Sequence, residues 1–340
     1  MVLRILLVFI IGTLIVWGNV LADNNEHSFI DMEERLWELK GDKDYDEALS
    51  LLDSIKNSYP ENEFEITDWY GNLYLDTKQY DKAYEIWADG HEKGYFYLLH
   101  PQLPPFKEIA ETDEFKKLSE VDLDLRSKAL EKSKSIREIV LPENYNKTKK
   151  YPLLIALHGG SSTIERAKSH WHSDKLQSDF IIMFVQSYRY YNLKKFGWSG
   201  GDERARADIK ALYEETVAEY NIDTARVVIG GMSAGGSMAL DMAGCGLIRL
   251  AGFFGVCPGK PASMTDSEIK SMAERGVKSF IVAGETDMFR SRQDELMASF
   301  DQFSVDYDFH EIKGMGHEYP EDFSRWIDIG LDYLLNQKQL

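Results

Sequence analysis

Ala225-Arg-Val-Val-Ile-Gly-Gly-Met-Ser-Ala-Gly-Gly-Ser-Met-Ala-Leu240 decides the fold. Arg226 to Ile229 is a short β-branched run of the kind a buried parallel strand needs. Gly231-Met-Ser-Ala-Gly235 follows at once, and Ser237 to Met242 has the composition of a helix start. Gly-x-Ser-x-Gly between a strand and a helix is a nucleophile-elbow pattern. Small residues flank the serine because strand and helix must approach closely around a sharp, strained turn. The turn lifts the Ser233 hydroxyl above the sheet, near a helix N-terminus. Alone the five-residue pattern is weak, so its partners decide the matter.

Those partners occur downstream and upstream. Phe280-Ile-Val-Ala-Gly-Glu-Thr-Asp287 ends an apolar run with a carboxylate in the following turn. His310-Glu-Ile-Lys-Gly-Met-Gly-His317 ends the last apolar run with a histidine in a Gly-rich loop. The order is therefore Ser233, Asp287, His317, each at the C-terminal end of a strand, where open α/β sheets place their sites. His317 is the expected base, and Asp287 the group that orients it; Glu285 is the rival acid. Leu154-Ile-Ala-Leu-His-Gly-Gly160 puts a His-Gly-Gly turn at the end of another strand. The N–H groups of Gly160 or Ser161, with that of Ala234, are the expected oxyanion donors. His158 is expected to lock this turn rather than to react.

From Ile136 onward, apolar runs at 136–141, 151–157, 180–185, 226–229, 250–256, 279–283 and 306–312 alternate with helical segments. That alternation predicts a doubly wound, mostly parallel α/β sheet. Residues 136–338, about 60% of the chain, resemble the α/β-hydrolase superfamily. Within it, YPLLIALHGG, DTARVVIGGMSAGGSMAL, FIVAGETD and IKGMGHEYP are most similar to esterases of the dienelactone-hydrolase and feruloyl-esterase type. The resemblance implies a Ser233–His317–Asp287 triad, an acyl-enzyme and no cofactor. Two departures stand out: only two glycines follow His158, and the nucleophile is serine where dienelactone hydrolases carry cysteine. Ester hydrolysis is the expectation. The nearest alternative is a serine peptidase of the prolyl-oligopeptidase type.

Between Pro258 and Lys278 there is room for about one helix, too little for the lid of an interfacial lipase. The aromatic stretch Tyr188 to Asp202 should overhang the catalytic edge, with Tyr190 and Trp198 as expected substrate contacts. His170-Trp-His172 lacks a third ligand at useful spacing, so no metal is expected. The formal net charge of −18 argues against nucleic-acid or anionic-membrane surfaces.

The first 22 residues differ from the rest: Arg4, an apolar run from Ile5 to Trp17, then Val20-Leu-Ala22 before Asp23. This is a signal-peptide pattern, with an uncleaved membrane anchor as the alternative, and either way the domains lie outside the cytoplasm, periplasmic or secreted. Residues 28–133 carry helical periodicity without a convincing strand. Tyr45-Asp-Glu-Ala-Leu recurs as Tyr80-Asp-Lys-Ala-Tyr, 35 positions on, and Trp69-Tyr-Gly-Asn-Leu-Tyr74 has a large–small–large pattern. The segment resembles a tetratricopeptide repeat, capped by helix over 94–118, and could dock a protein partner or merely cover the enzyme. A scaffold whose hydrolase domain is inert is the alternative of another class. Cys245 and Cys257 are expected too far apart to bridge, leaving two free, buried thiols.

Overall fold

The computed structural model describes residues 17–335. The chain divides into two compact units, one ending at Arg126 and one beginning at Ser127.

The first unit is helical: α1 (Trp17–Asp42), α2 (Tyr45–Ile55), α3 (Glu63–Asp76), α4 (Tyr80–Glu92) and α5 (Asp113–Lys132), which runs across the division. Both copies of the repeated Tyr-Asp-x-Ala segment open a helix, α2 at Tyr45 and α4 at Tyr80. Each is preceded by a lysine in the left-handed region, Lys43 at φ 66° and Lys78 at φ 59°, again 35 positions apart. The turn joining α1 to α2 is thus repeated between α3 and α4. A side chain at Gly71 would overlap the Trp87 indole, so α3 and α4 pack backbone against ring.

The helix expected over 94–118 is only partly present. Residues 95–112 hold one short 3₁₀ turn, Pro104–Phe106, and regular helix resumes at Asp113. Gly94 at φ 82° ends α4's run, and Pro104 and Pro105 lack the N–H a helix needs. The fully buried Asp122 carboxylate replaces helical bonding there, accepting from the N–H groups of Tyr97 (2.6 Å) and Leu99 (3.1 Å). The expected signal or anchor at residues 1–22 lies largely outside the described residues, and its last six positions fall in α1. Among the described residues no helix is long and apolar enough to cross a membrane.

The second unit is a seven-stranded sheet in the order β1-β3-β2-β4-β5-β6-β7. The strands are β1 (Ile136–Val140), β2 (Tyr151–Leu157), β3 (Ile181–Gln186), β4 (Ile222–Met232), β5 (Gly252–Val256), β6 (Lys278–Gly284) and β7 (Tyr307–Ile312). All pairs are parallel except β1 with β3. The polar turn near Asn144 therefore does not close a hairpin, because β3 lies between β1 and β2. Helices α6 (Ile164–His170), α7 (Asp174–Asp179) and α12 (Phe323–Leu335) cover one face; α8 (Glu203–Glu219), α9 (Ala234–Cys245), α10 (Asp266–Glu274) and α11 (Arg290–Phe303) cover the other.

The two-residue period of β2 builds both cores. Leu153, Ile155 and Leu157 pack with Ile209, Met238, Met242 and Leu296, while Leu154 and Ala156 pack with Ile164, Leu176, Ile327 and Leu331. Register then aligns the C-terminal strand ends: Leu157 opposes Gly231, Gly231 opposes Gly255, and Gly255 opposes Ile281. Everything beyond those positions emerges on one side of the sheet. The cysteines are both free, as expected; Cys257 is buried, but Cys245, at the end of α9, is only half-buried.

Asp122→Ala should cost about 3 kcal/mol, because it strands two buried N–H groups. The check is the denaturant midpoint of the transition that reports the helical unit.

Candidate active site

Ser233 sits between β4 and α9 with φ 55° and ψ −117°, a strained conformation for a residue with a side chain. The glycines around it have a direct cause. A side chain at Gly231 would overlap the backbone of Gly235, and one at Gly235 would overlap the carbonyl oxygens of Leu157 and His158. Strand β4, helix α9 and the end of β2 thus meet backbone to backbone. Ser233 N–H donates to the Val256 carbonyl (2.9 Å), which fixes the elbow to β5.

The Ser233 Oγ lies 2.7 Å from His317 Nε2, and His317 Nδ1 lies 2.8 Å from Asp287 Oδ1. The three residues singled out from the sequence therefore form one unbroken chain of hydrogen bonds. Glu285, the rival acid, instead accepts from the Gly314 N–H at 2.9 Å and so braces the histidine loop. Asp287 is 4% exposed. Burial alone would raise its carboxyl, but the Phe289 N–H (2.9 Å), the Gln293 amide (2.7 Å), the His317 imidazole and the Cys257 thiol overcome this and hold it below the ordinary carboxylate range. Phe289 sets its ring edge-on to the His317 imidazole, centroids 5.1 Å apart. The neighbouring Met288 is 71% exposed, so the rim beside the acid is apolar.

Gly160 lies against Ala234, with 3.4 Å between a Cβ built on Gly160 and the Ala234 methyl. The Ala234 N–H opens α9, and first-turn N–H groups have no partner within their own helix. The N–H groups of Gly160 and Ser161 make no backbone hydrogen bond among the described residues, and Ser161 is turned into the left-handed region at φ 52°. Gly160 thus lies beside the start of α9.

His158 is fully buried. The Ser187 N–H donates to its Nε2 (3.1 Å), which leaves the proton on Nδ1, and Nδ1 donates to the Gly159 carbonyl (2.7 Å). Burial, opposed by the Gly159 carbonyl, pushes its pKa down to about 4. The neutral ring locks the turn to the end of β3.

The aromatic stretch is a tied loop. Ser162 and Phe196 exchange backbone hydrogen bonds (3.1 and 3.0 Å), so the loop is fastened to the residue after Ser161. Tyr190 stacks on Phe196, centroids 4.8 Å apart, and is partly exposed. Trp198 is not available in the way its position in the sequence implied: it is 8% exposed and packed on the His158 ring at 5.2 Å. It backs the turn after β2. His170 stacks on Tyr319 at 4.0 Å. The metal-ligand side chains that do come together are Cys257, Asp287 and His317, within 4.8 Å of one another among the described residues. Two of these already share a hydrogen bond. A cavity of about 810 Å³ lies at the opposite edge of the sheet beside Arg226, Arg275 and Lys278. Those cations are engaged, Arg226 with Asp223, Arg275 with carbonyls ending α9 and Lys278 with the Tyr333 carbonyl.

Cys257, Phe289 and Gln293 escape a sequence-based search. Gln293 has no motif around it, and a glutamine in the charged stretch 290–295 reads as a solvated helix face.

Residues 138–249 match the BD-FAE family model, a span that includes Ser233 but ends before Asp287 and His317. No curated protein matches the chain. Among solved structures, an uncharacterized protein from Bacillus cereus is 20% identical, with 90% of this chain and 98% of that one covered at a TM-score of 0.52. That coverage exceeds the second unit alone, so the likeness of fold takes in helical residues as well. A fluorophosphonate-binding serine hydrolase from Staphylococcus aureus is 14% identical over 60% of this chain and 99% of that one, TM-score 0.47. A ferulic acid esterase is 17% identical over 59% and 98%, TM-score 0.44.

Stability should fall as pH drops from 6.5 towards 4. A depressed histidine pKa means that the unfolded chain binds the proton first, so His158 stabilises the fold above pH 6.5 and loses that contribution on the way to about 4. The whole span is on the order of 3 kcal/mol. His158→Asn should flatten this acid slope in denaturant midpoints measured against pH.

Proposed function

We propose that the second unit, an esterase-like α/β-hydrolase domain of the BD-FAE type, cleaves a carboxylic ester through an acyl-enzyme on Ser233. The BD-FAE match over residues 138–249 supports a hydrolase of the serine class. The observation that carries it is the continuous relay from Ser233 Oγ to His317 Nε2 and from His317 Nδ1 to Asp287 Oδ1.

In this reading Ser233 Oγ attacks the ester carbonyl carbon while His317 Nε2 takes its proton. The N–H groups of Ala234 and of Gly160 or Ser161 hold the oxyanion, and each such donor is worth about 3 kcal/mol of transition-state binding. Collapse expels the alcohol, which receives the proton from His317 Nε2. Water then attacks the acyl-enzyme by the same route, giving the acid and free Ser233. Asp287 keeps the Nδ1 proton in place and stabilises the imidazolium that forms.

The substrate is a small-molecule or polymer-linked ester, received beside the apolar rim of Met288 and Phe289 and the loop that carries Tyr190. Export follows from the pattern of residues 1–22, and a mature chain beginning at Asp23 is the corresponding form. The paired helical turns at Lys43 and Lys78 support a tetratricopeptide-like unit that docks a protein partner.

Fluorophosphonate labelling tests the reading. Wild type should be labelled and should hydrolyse short p-nitrophenyl esters; Ser233→Ala should do neither. Asp287→Asn should keep its fold and lose about 10⁴-fold in kcat, the loss a wrong tautomer brings in a comparable triad. A folded wild type that is neither labelled nor active on any ester overturns the proposal.

A further inference from the structure

Asp287 is held from both of its oxygens. Oδ1 accepts from the Phe289 N–H and from His317 Nδ1–H. Oδ2 accepts from Gln293 Nε2, at 2.7 Å. Gln293 stands in the first turns of α11, wholly buried, and the same Nε2 donates to the Pro258 carbonyl at 3.2 Å. Two acceptors therefore face one nitrogen, and a primary amide is the neutral side-chain group that supplies two N–H donors there. The chemistry fixes which end of the amide is which.

The other end is informative. Gln293 Oε1 is buried with no partner among the described residues, a costly state for a carbonyl. Packing alone would be served as well by a methionine of similar length without that cost. What the amide adds is the pair of donors that joins the Asp287 turn after β6 to the Pro258 turn after β5. Without them Oδ2 loses its amide donor, and of the groups around the carboxylate only the Phe289 N–H, His317 and the Cys257 thiol remain to hold it.

We infer that Gln293 is a positioning residue, which fixes the Asp287 carboxylate so that His317 keeps the tautomer needed to accept the Ser233 proton. The inference rests on the triad reading above.

Full-length wild type, Gln293→Met and Gln293→Glu, with Ser233→Ala as the blank, are compared in ester hydrolysis from about pH 5 to pH 9, in fluorophosphonate labelling rate and in Tm. Gln293→Met should lose about 10- to 100-fold in kcat and in labelling rate, the scale of a small misplacement, at little changed KM. Its acid limb should move to higher pH, because a carboxylate that has lost a donor gives up its charge sooner as pH falls. Gln293→Glu should surpass Gln293→Met at acid pH, where the new carboxyl is protonated and donates to Oδ2, and should lose activity as the shared proton leaves. A merely structural role would lower Tm and leave the limbs where wild type has them. Should Gln293→Met not fold, the Glu variant compared with itself across pH decides alone. Limbs and kcat of the folded variants coinciding with wild type overturn the inference and leave the triad standing. A folded wild type that is not labelled, or a Ser233→Ala that still hydrolyses, overturns the triad reading and this inference with it.

Discussion

The contact of backbone on backbone between Gly231, Gly235 and the end of β2 is the constraint on which the Ser233 elbow depends. Side chains are excluded there by the Leu157 and His158 carbonyl oxygens on one side and by the elbow itself on the other. Because nothing separates the three segments, the serine, the start of α9 and the turn after β2 have a fixed spacing. The strain at Ser233, φ 55°, persists because its own N–H is bonded to β5 and its neighbours are clamped in this way. Behind the clamp, α9 carries almost nothing but small and apolar residues into the core. Its one buried carboxylate, Asp241, is met by two hydrogen bonds from Arg206 at 2.7 and 2.6 Å. That charge is paired, so α9 can be buried along its length without an orphaned ion.

Much of this was legible because the relevant signals are local. The central strands carry short apolar runs, and the period of two in β2 separates the two cores without reference to anything distant. The glycines around Ser233 and the order Ser233, Asp287, His317 are visible because steric necessity and strand-end placement leave marks in the chain. What stayed hidden depends on contacts across the fold. Trp198 looks like a sugar platform in a loop, yet tertiary packing turns it onto His158. Residues 95–112 have helical neighbours, yet Asp122, in the middle of the next helix, takes up the N–H groups of Tyr97 and Leu99. Gln293 is the extreme case, since its partners Asp287 and Pro258 are defined only once two strands lie side by side.

The helical unit shows the same division. The repeat of Tyr-Asp-x-Ala is faint in the chain, because few residues outside that segment recur at the 35-position spacing. In three dimensions it becomes a repeated geometry, with Lys43 and Lys78 at matching left-handed turns and Tyr45 and Tyr80 opening equivalent helices. Lysine tolerates that conformation at a modest cost, one that glycine would avoid.

The burial of Cys257 beside the acid of the relay bears on how this protein meets oxidants. Burial, with the Asp287 charge close by, pushes its thiol up to about 12, so the sulfur stays protonated across the physiological range. Thiolate is the form that reacts with disulfides and peroxides, so a sulfur kept as S–H and closed off from solvent is chemically quiet. Cys245 lies at the other end of α9, half-buried and with its own thiol raised by burial. The two sulfurs are thus insulated from each other by the length of a helix and from their surroundings by the packing. A chain with an even number of cysteines can in this way cross an oxidising compartment without acquiring a crosslink.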